Sequence, residues 1–332
     1  MSKKRIIAII IAVVIVLGGI FMSTISTIVT SMFSDSGATS DMNPFPETVE
    51  KDGNSNKRIA HLTLNGEITE GTGADAFGGS TGYNHEAFLK QLDVVKRDDT
   101  VKGVLLTVNS PGGGTYPSDE IYKKIKDIKK KGKKVYVHMG TMAASGGYYI
   151  SAPANKIYAG PQSMTGSIGV IMSNLDYSEL QHRLGVKENV IKSGAHKDIM
   201  SSSRKMSKEE RNILQSVLDD SYNRFVNIVA EGRDMPKKKV KKLADGRIYS
   251  AQQAEDNGLI DKISYEDKTI KDLRKDIHAK DAEVFQYDQE GGFFPGLFQT
   301  KATITQFKND LHGLKSIINN DSNAKPMYLY EG

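Results

Sequence analysis

The sequence predicts an α/β layered domain, and two apolar runs with the residues that follow them carry that prediction. Residues 101–108 (VKGVLLTV) are a short run suited to a strand buried on both faces, and NSPGGG follows at residues 109–114. Residues 134–138 (KVYVH) repeat the pattern and lead into TMAASGGYY at residues 141–149. Strand, glycine loop, helix, strand, serine, helix is the alternation of a parallel sheet covered by helices.

Each element has its own local signal. Residues 58–64 (RIAHLTL) read as a strand, Asn65-Gly66 as a turn, residues 71–82 as a glycine-rich loop and residues 86–96 as a helix. The next helix starts near Pro117, sets Ile121, Ile125 and Ile128 on one face, and ends before Gly132. Residues 156–159 and 167–172 read as short strands on either side of Thr165-Gly166. Ser207 and Glu210 have the spacing of a capping box for a helix carrying Leu214, Val217, Leu218, Phe225 and Val229, with Gly232 as its stop. The lysine run 237–242 reads as the solvated face of a further helix. Beyond residue 284 the pattern weakens, through an aromatic cluster at 293–298, to a polar tail ending in Pro326-Met327-Tyr328-Leu329-Tyr330.

One segment departs from the ordinary composition of 38% hydrophobic and 26% charged residues. Residues 6–22 are apolar or glycine and no charge follows before Asp35, a length that spans the roughly 30 Å hydrocarbon core as a helix. Lys3, Lys4 and Arg5 precede it, so the positive-inside rule puts the N-terminus in the cytoplasm and the rest of the chain outside. A cleaved signal peptide is the alternative, but its apolar region runs to only ~7 to 15 residues, and no clean Ala-x-Ala site follows here. The expected layout is an anchor at 1–33, a flexible stalk at 34–57, the folded domain at 58–284 and a C-terminal extension at 285–332.

Several chemistries are excluded. The chain has no cysteine, which removes disulfides, a thiol nucleophile and thiolate metal sites. Its histidines show no HExxH or similar spacing, so no metal and no cofactor is expected. The net charge of +5 comes from basic residues spread over helices rather than set beside aromatics, which argues against nucleic-acid binding.

What remains points to acyl transfer, which needs a nucleophile, a base and two donors aimed at a developing oxyanion. Ser145 is the candidate nucleophile. Gly112, Gly113 and Gly114 follow a strand, where amides face a substrate carbonyl without a side chain in the way, and Gly146 offers another amide directly after the serine. One such donor is worth about 3 kcal/mol in the transition state. For the base, Lys197 lies among Ile191, Ile199 and Met200, whose apolar surfaces lower a lysine pKa by desolvation. His196 and Lys192 are its rivals; in an extended segment only one of residues 196 and 197 can face Ser145.

Taken in order, SPGGG, AASGGYY, TGSIGV and KSGAHKD resemble the signal peptide peptidase A group of the S49 serine proteases, over roughly residues 58–265. The resemblance implies the ClpP/crotonase α/β fold. It implies Ser145 as nucleophile, Lys197 rather than Lys192 as general base, Ser167 as the hydroxyl orienting the lysine, and an oxyanion hole from Gly146 with Gly112 or its close competitor Gly113. It also implies a membrane-bound endopeptidase that degrades remnant signal peptides and similar hydrophobic or small-residue peptides. This single copy matches the short form, a homo-oligomeric ring, an octamer, in which the serine of one subunit meets the lysine of its neighbour. An acyl-CoA enzyme or a non-catalytic scaffold on the same fold are the rival expectations. Tyr148 and Tyr149 are expected in the helix core, and residues 327–330 are a candidate extended peptide for the substrate groove.

Overall fold

Two strands at the centre of the sheet place the site. The computed structural model describes residues 45–70, 83–287 and 326–329. The first elements are β1 (Glu47–Lys51), β2 (Asn54–Asn65), α1 (His85–Arg97), β3 (Val101–Ser110), β4 (Gly112–Gly114) and α2 (Thr115–Lys130). Then come β5 (Lys134–Ala144), α3 (Gly146–Ser151), β6 (Lys156–Ala159), β7 (Met164–Gly166), α4 (Ser178–Arg183) and the long α5 (Lys208–Gly232). The chain closes with α6 (Lys237–Leu243), β8 (Ile248–Ser250), α7 (Ala251–Asn257), β9 (Lys262–Ile263), α8 (Glu266–Asp276), β10 (Ala282–Tyr287) and β11 (Met327–Leu329).

The main sheet runs β1-β10-β2-β3-β5-β6-β9, parallel from β10 to β9 with β1 antiparallel at the edge. β3 and β5 have neighbours on both sides, and their alternating side chains divide between two apolar layers. Val104, Leu106 and Val108 of β3, with Val135, Val137 and Met139 of β5, join the larger core beside α1, α2 and α3. Leu105 and Tyr136 face the other way, into a smaller core with Ile270 and Leu273 of α8. Burial on both faces, at about 2 kcal/mol for each large side chain, is why these strands read as continuous apolar runs.

β5 is longer than its apolar run. It continues past β6 to Ala144, where it pairs with β7, and β7 pairs in turn with β8. Ser145 therefore stands at the end of a strand braced along both halves.

Several expectations change. Residues 167–172 are not a strand; the strand there is β7, which ends at Gly166 because Gly166 and Ser167 turn the chain at φ +90° and +48°. The stretch read as stalk contains β1 and the start of β2, whose polar residues pair through the backbone without an apolar pattern. β10 carries the sheet on to Tyr287, past the expected end of the domain at residue 284. α5 includes Gly232 and is capped by Arg233; the glycine is required because a Cβ there would stand 2.0 Å from the Ala152 carbonyl oxygen. The Ser207–Glu210 capping box forms as expected, but Ile213 and Val217 in the first half of α5 are exposed.

Among the described residues no helix is long and apolar enough to cross a membrane. The apolar segment 6–33, the loop 71–82 and the cluster 293–298 lie outside the described residues.

Candidate active site

Ser145 joins β5 to α3 at φ +52° and ψ −115°, a conformation that L-residues adopt at a cost of order 1–3 kcal/mol. Its neighbours hold it there. The Ser145 N–H donates to the Gly166 carbonyl (2.8 Å), its own carbonyl accepts from Tyr149 N–H (2.8 Å), and Thr165 Oγ1 donates to the Ala143 carbonyl (2.7 Å). The Thr165-Gly166-Ser167 segment thus braces the serine through the backbone. Ser145 is 1% exposed and Ser167, whose N–H donates to the Arg247 carbonyl, is buried.

The glycines converge on the same point. A Cβ on Gly112 would lie 2.7 Å from Gly146 N, and one on Gly146 would lie 3.2 Å from Gly113 N. The Gly112 N–H is already engaged, donating to Ser110 Oγ (3.1 Å). Gly146 is the first residue of α3, so its amide has no acceptor within the helix.

An extended peptide lies across these glycines, and it is the chain's own tail. β11 is antiparallel to β4, with Met327 opposite Gly114, Tyr328 opposite Gly113 and Leu329 opposite Gly112. Its other edge is also satisfied, because Met327 and Ile171 exchange two backbone hydrogen bonds of 3.0 Å. On the far side of β4, Ile68 donates to the Gly112 carbonyl (2.7 Å) and accepts from Gly114 N–H (2.8 Å).

Tyr328 is 1% exposed and stacks on Tyr149 with ring centroids 4.7 Å apart, 4.9 Å from the Phe225 ring. Its hydroxyl donates to the Ser221 carbonyl (3.1 Å). Tyr149 in turn donates to Asp119 Oδ1 (2.6 Å), which also accepts from Arg224 Nε (2.8 Å). Burial, then the neighbouring Tyr328 and Asp119, push the Tyr149 phenol far above its ordinary pKa, so it stays protonated as a donor. Tyr148 is a core residue as expected, its hydroxyl donating to the Leu259 carbonyl (2.8 Å).

Lys197 is elsewhere on the chain's surface. It is exposed, in a run of turns between α4 and α5, and no hydrogen bond among the described residues joins it to Ser145 or Ser167. His196 faces α5, its Nε2 3.6 Å from Glu209, while Lys192 donates to Asp198 Oδ1 (2.6 Å). One chain therefore brings together Ser145, Ser167, Gly112, Gly113 and Gly146, but not Lys197.

Sequence reasoning missed Ser110, Asp119, Ser221 and Arg224. Ser110 had a signal, since a serine two residues before a glycine suits a side-chain-to-backbone turn. The others act only through tertiary contacts.

A sequence model of Peptidase family S49 matches residues 127–280, and one of Clp protease matches residues 80–165. The chain is 43% identical over 302 residues to the "Putative signal peptide peptidase SppA" of Enterococcus faecium, covering 87% of this chain and 86% of that one. It is 33% identical to "Protease 4" of Salmonella typhi over 70% of this chain and 35% of that longer protein. A solved ClpP1 mutant of Listeria monocytogenes aligns with a TM-score of 0.42 and 19% identity, over 63% of this chain and 94% of that one. The two family matches and the Enterococcus relative answer the rival expectations of an acyl-CoA enzyme or an inert scaffold: this chain belongs to the S49 family of serine peptidases and is of the signal peptide peptidase A type.

Proposed function

We propose that this peptidase is a membrane-anchored endopeptidase with a Ser/Lys dyad shared between subunits, and that it degrades remnant signal peptides and similar hydrophobic or small-residue peptides. The observation that carries this reading is the strained Ser145 beside two converging amides, with an extended peptide laid across them.

Neutral Lys197 of a neighbouring subunit takes the Ser145 proton as Oγ attacks the scissile carbonyl, with Ser167 orienting the amine. The amides of Gly146 and Gly113 hold the oxyanion; Gly113 is preferred to Gly112, whose N–H is spent on Ser110. The lysine then protonates the leaving amine, and a water deprotonated by the same lysine releases the acyl-enzyme. No cofactor is involved.

Subunit contact is supported by the exposed Leu175, Leu180, Leu184, Val186, Val190 and Ile191 on the segment leading to Lys197. Continued head-to-tail, that contact closes a ring, an octamer by family resemblance. Residues 6–33 are the single membrane span, with the N-terminus cytoplasmic and the catalytic domain extracytoplasmic.

Two inactive variants test the shared site. Ser145→Ala and Lys197→Ala are each expected to abolish hydrolysis of a fluorogenic peptide, while their co-assembly restores about a quarter of the sites, the statistical share for a cyclic interface. Activity in Lys197→Ala alone would sink the dyad, and no recovery on mixing would sink the sharing. Because the chain has no cysteine, Ser2→Cys and Ser40→Cys report topology by an impermeant maleimide, with only the second expected to react in intact cells.

A further inference from the structure

Lys197 has no regular element to hold it. Its segment is a chain of turns, Lys197 N–H to the Gly194 carbonyl (3.2 Å), Ile199 N–H to His196 (3.1 Å) and Ser201 N–H to Asp198 (3.0 Å), with Met200 at φ +67°. Turns alone leave a long side chain free to wander by more than a hydrogen bond tolerates.

The residues on either side of Lys197 are turned onto α5. His196 faces the first turn of that helix, with Nε2 3.6 Å from Glu209 and a buried Nδ1 that has no hydrogen-bond partner among the described residues, 4.0 Å from Glu210. Asp198 is gripped by Arg204, whose Nε and Nη2 donate to Oδ2 (2.9 Å) and Oδ1 (2.8 Å), and whose Nη2 also reaches the Asp198 carbonyl (3.2 Å). The same guanidinium donates from Nη1 to Glu210 Oε2 (2.8 Å) and from Nη2 to Oε1 (2.5 Å).

Glu210 is fixed independently. It is 3% exposed, sits in the first turn of α5, and closes the capping box with Ser207 (2.9 and 3.1 Å). A continuous path of charge-assisted bonds therefore runs from the helix frame through Arg204 to the residue beside Lys197. Lys192 completes it, donating to Asp198 Oδ1 and to the Ala195 carbonyl (2.9 Å). A guanidinium forked between two carboxylates is a weak device for stability but a good one for fixing register.

We infer that Arg204 is a positioning residue of the reaction: by bridging Asp198 and Glu210 it fixes the height of Lys197 on α5, so that the amine is presented outward towards a neighbouring subunit. This rests on Lys197 being the general base. An amine displaced by about 1 Å from its serine loses roughly 100-fold in rate.

The test uses full-length Arg204→Gln, Arg204→Lys and Glu210→Gln, with Lys197→Ala in parallel. Peptide hydrolysis is resolved into kcat and KM, alongside thermal melting and sedimentation of the assembly. Arg204→Gln is expected to lower kcat roughly 100-fold with KM within about twofold. Arg204→Lys recovers about tenfold of that loss, because one carboxylate can still be held. Should Arg204→Gln fail to fold, Glu210→Gln is read on the same axes, with a loss of about tenfold in kcat. A folded, assembled Arg204→Gln with kcat within about threefold of the parent overturns the inference. So does a loss that only tracks the fraction assembled. An active Lys197→Ala would instead overturn the base itself, whatever Arg204→Gln does.

Discussion

Gly112 and Tyr328 meet backbone to backbone: a Cβ on the glycine would stand 1.9 Å from the tyrosine carbonyl oxygen, at a φ of +111°. No other residue type permits that approach. Gly112→Ala is expected to expel β11 and to destabilise the fold by about 1–3 kcal/mol. Hydrogen exchange at residues 327–329 checks it; unchanged protection there would show that the tail does not depend on the bare glycine.

Strain at the nucleophile separates two inactive variants. Ser145→Ala keeps the penalty of φ +52°, whereas Ser145→Gly removes it. The glycine variant is expected to be the more stable of the two by about 1 kcal/mol in denaturant unfolding. Equal midpoints would mean that the backbone relaxes in both.

Removal of residues 321–332 vacates both edges between β4 and Ile171. A tethered competitor acts at about millimolar effective concentration, so its loss is expected to lower the apparent KM for a short peptide about tenfold. Unchanged kinetics, together with no tail-shortened mass on incubation of the parent enzyme, would reject the tail as an occupant of the groove.

Hydrogen bonds from Arg204, then from the Ser207 backbone, hold the Glu210 carboxyl at about 2, against an ordinary 4.5. A depressed carboxylate contributes stability that is full above its unfolded value and lost as pH falls through its folded value. Glu210→Gln is therefore expected to melt below the parent at neutral pH, with the gap closing between about 4.5 and 2. A gap of constant size across that window would place the effect in packing rather than charge.

At the other end of α5, Gly232 packs against the backbone that follows α3, with its Cβ position 2.0 Å from the Ala152 carbonyl. Gly232→Ala is expected to cost about 1–3 kcal/mol by overpacking, seen as a lower denaturation midpoint. Retained stability would show that the helix end slides freely.

Much of this frame was legible because it is local. β3 and β5 are buried on both faces and so read as apolar runs; Ile121, Ile125 and Ile128 mark the buried stripe of α2; Ser207 and Glu210 mark the start of α5. Elements that depend on distant partners were not legible. β7, β8 and β11 are three residues each, too short for a period, and β1 is a run of exposed polar residues whose side-chain partners, Arg58 for Glu47 and His61 for Glu50, lie on another strand. The site divides in the same way. Ser145 and the glycines announce themselves by type and order, but the φ of Ser145 is set by Gly166, and the Tyr328 seat by Asp119 of α2 with Ser221 and Phe225 of α5.

The stacking of Tyr328 on Tyr149 gives the molecule an optical readout. The chain contains no tryptophan, so its near-ultraviolet signal comes from tyrosine and phenylalanine. Two phenol rings 4.7 Å apart at 27° couple their transitions, and one of them lies four residues from the nucleophile on the helix that Ser145 opens. Departure of the tail uncouples the pair, so near-ultraviolet circular dichroism of the unlabelled protein reports whether the strand is seated, in real time and without a substrate.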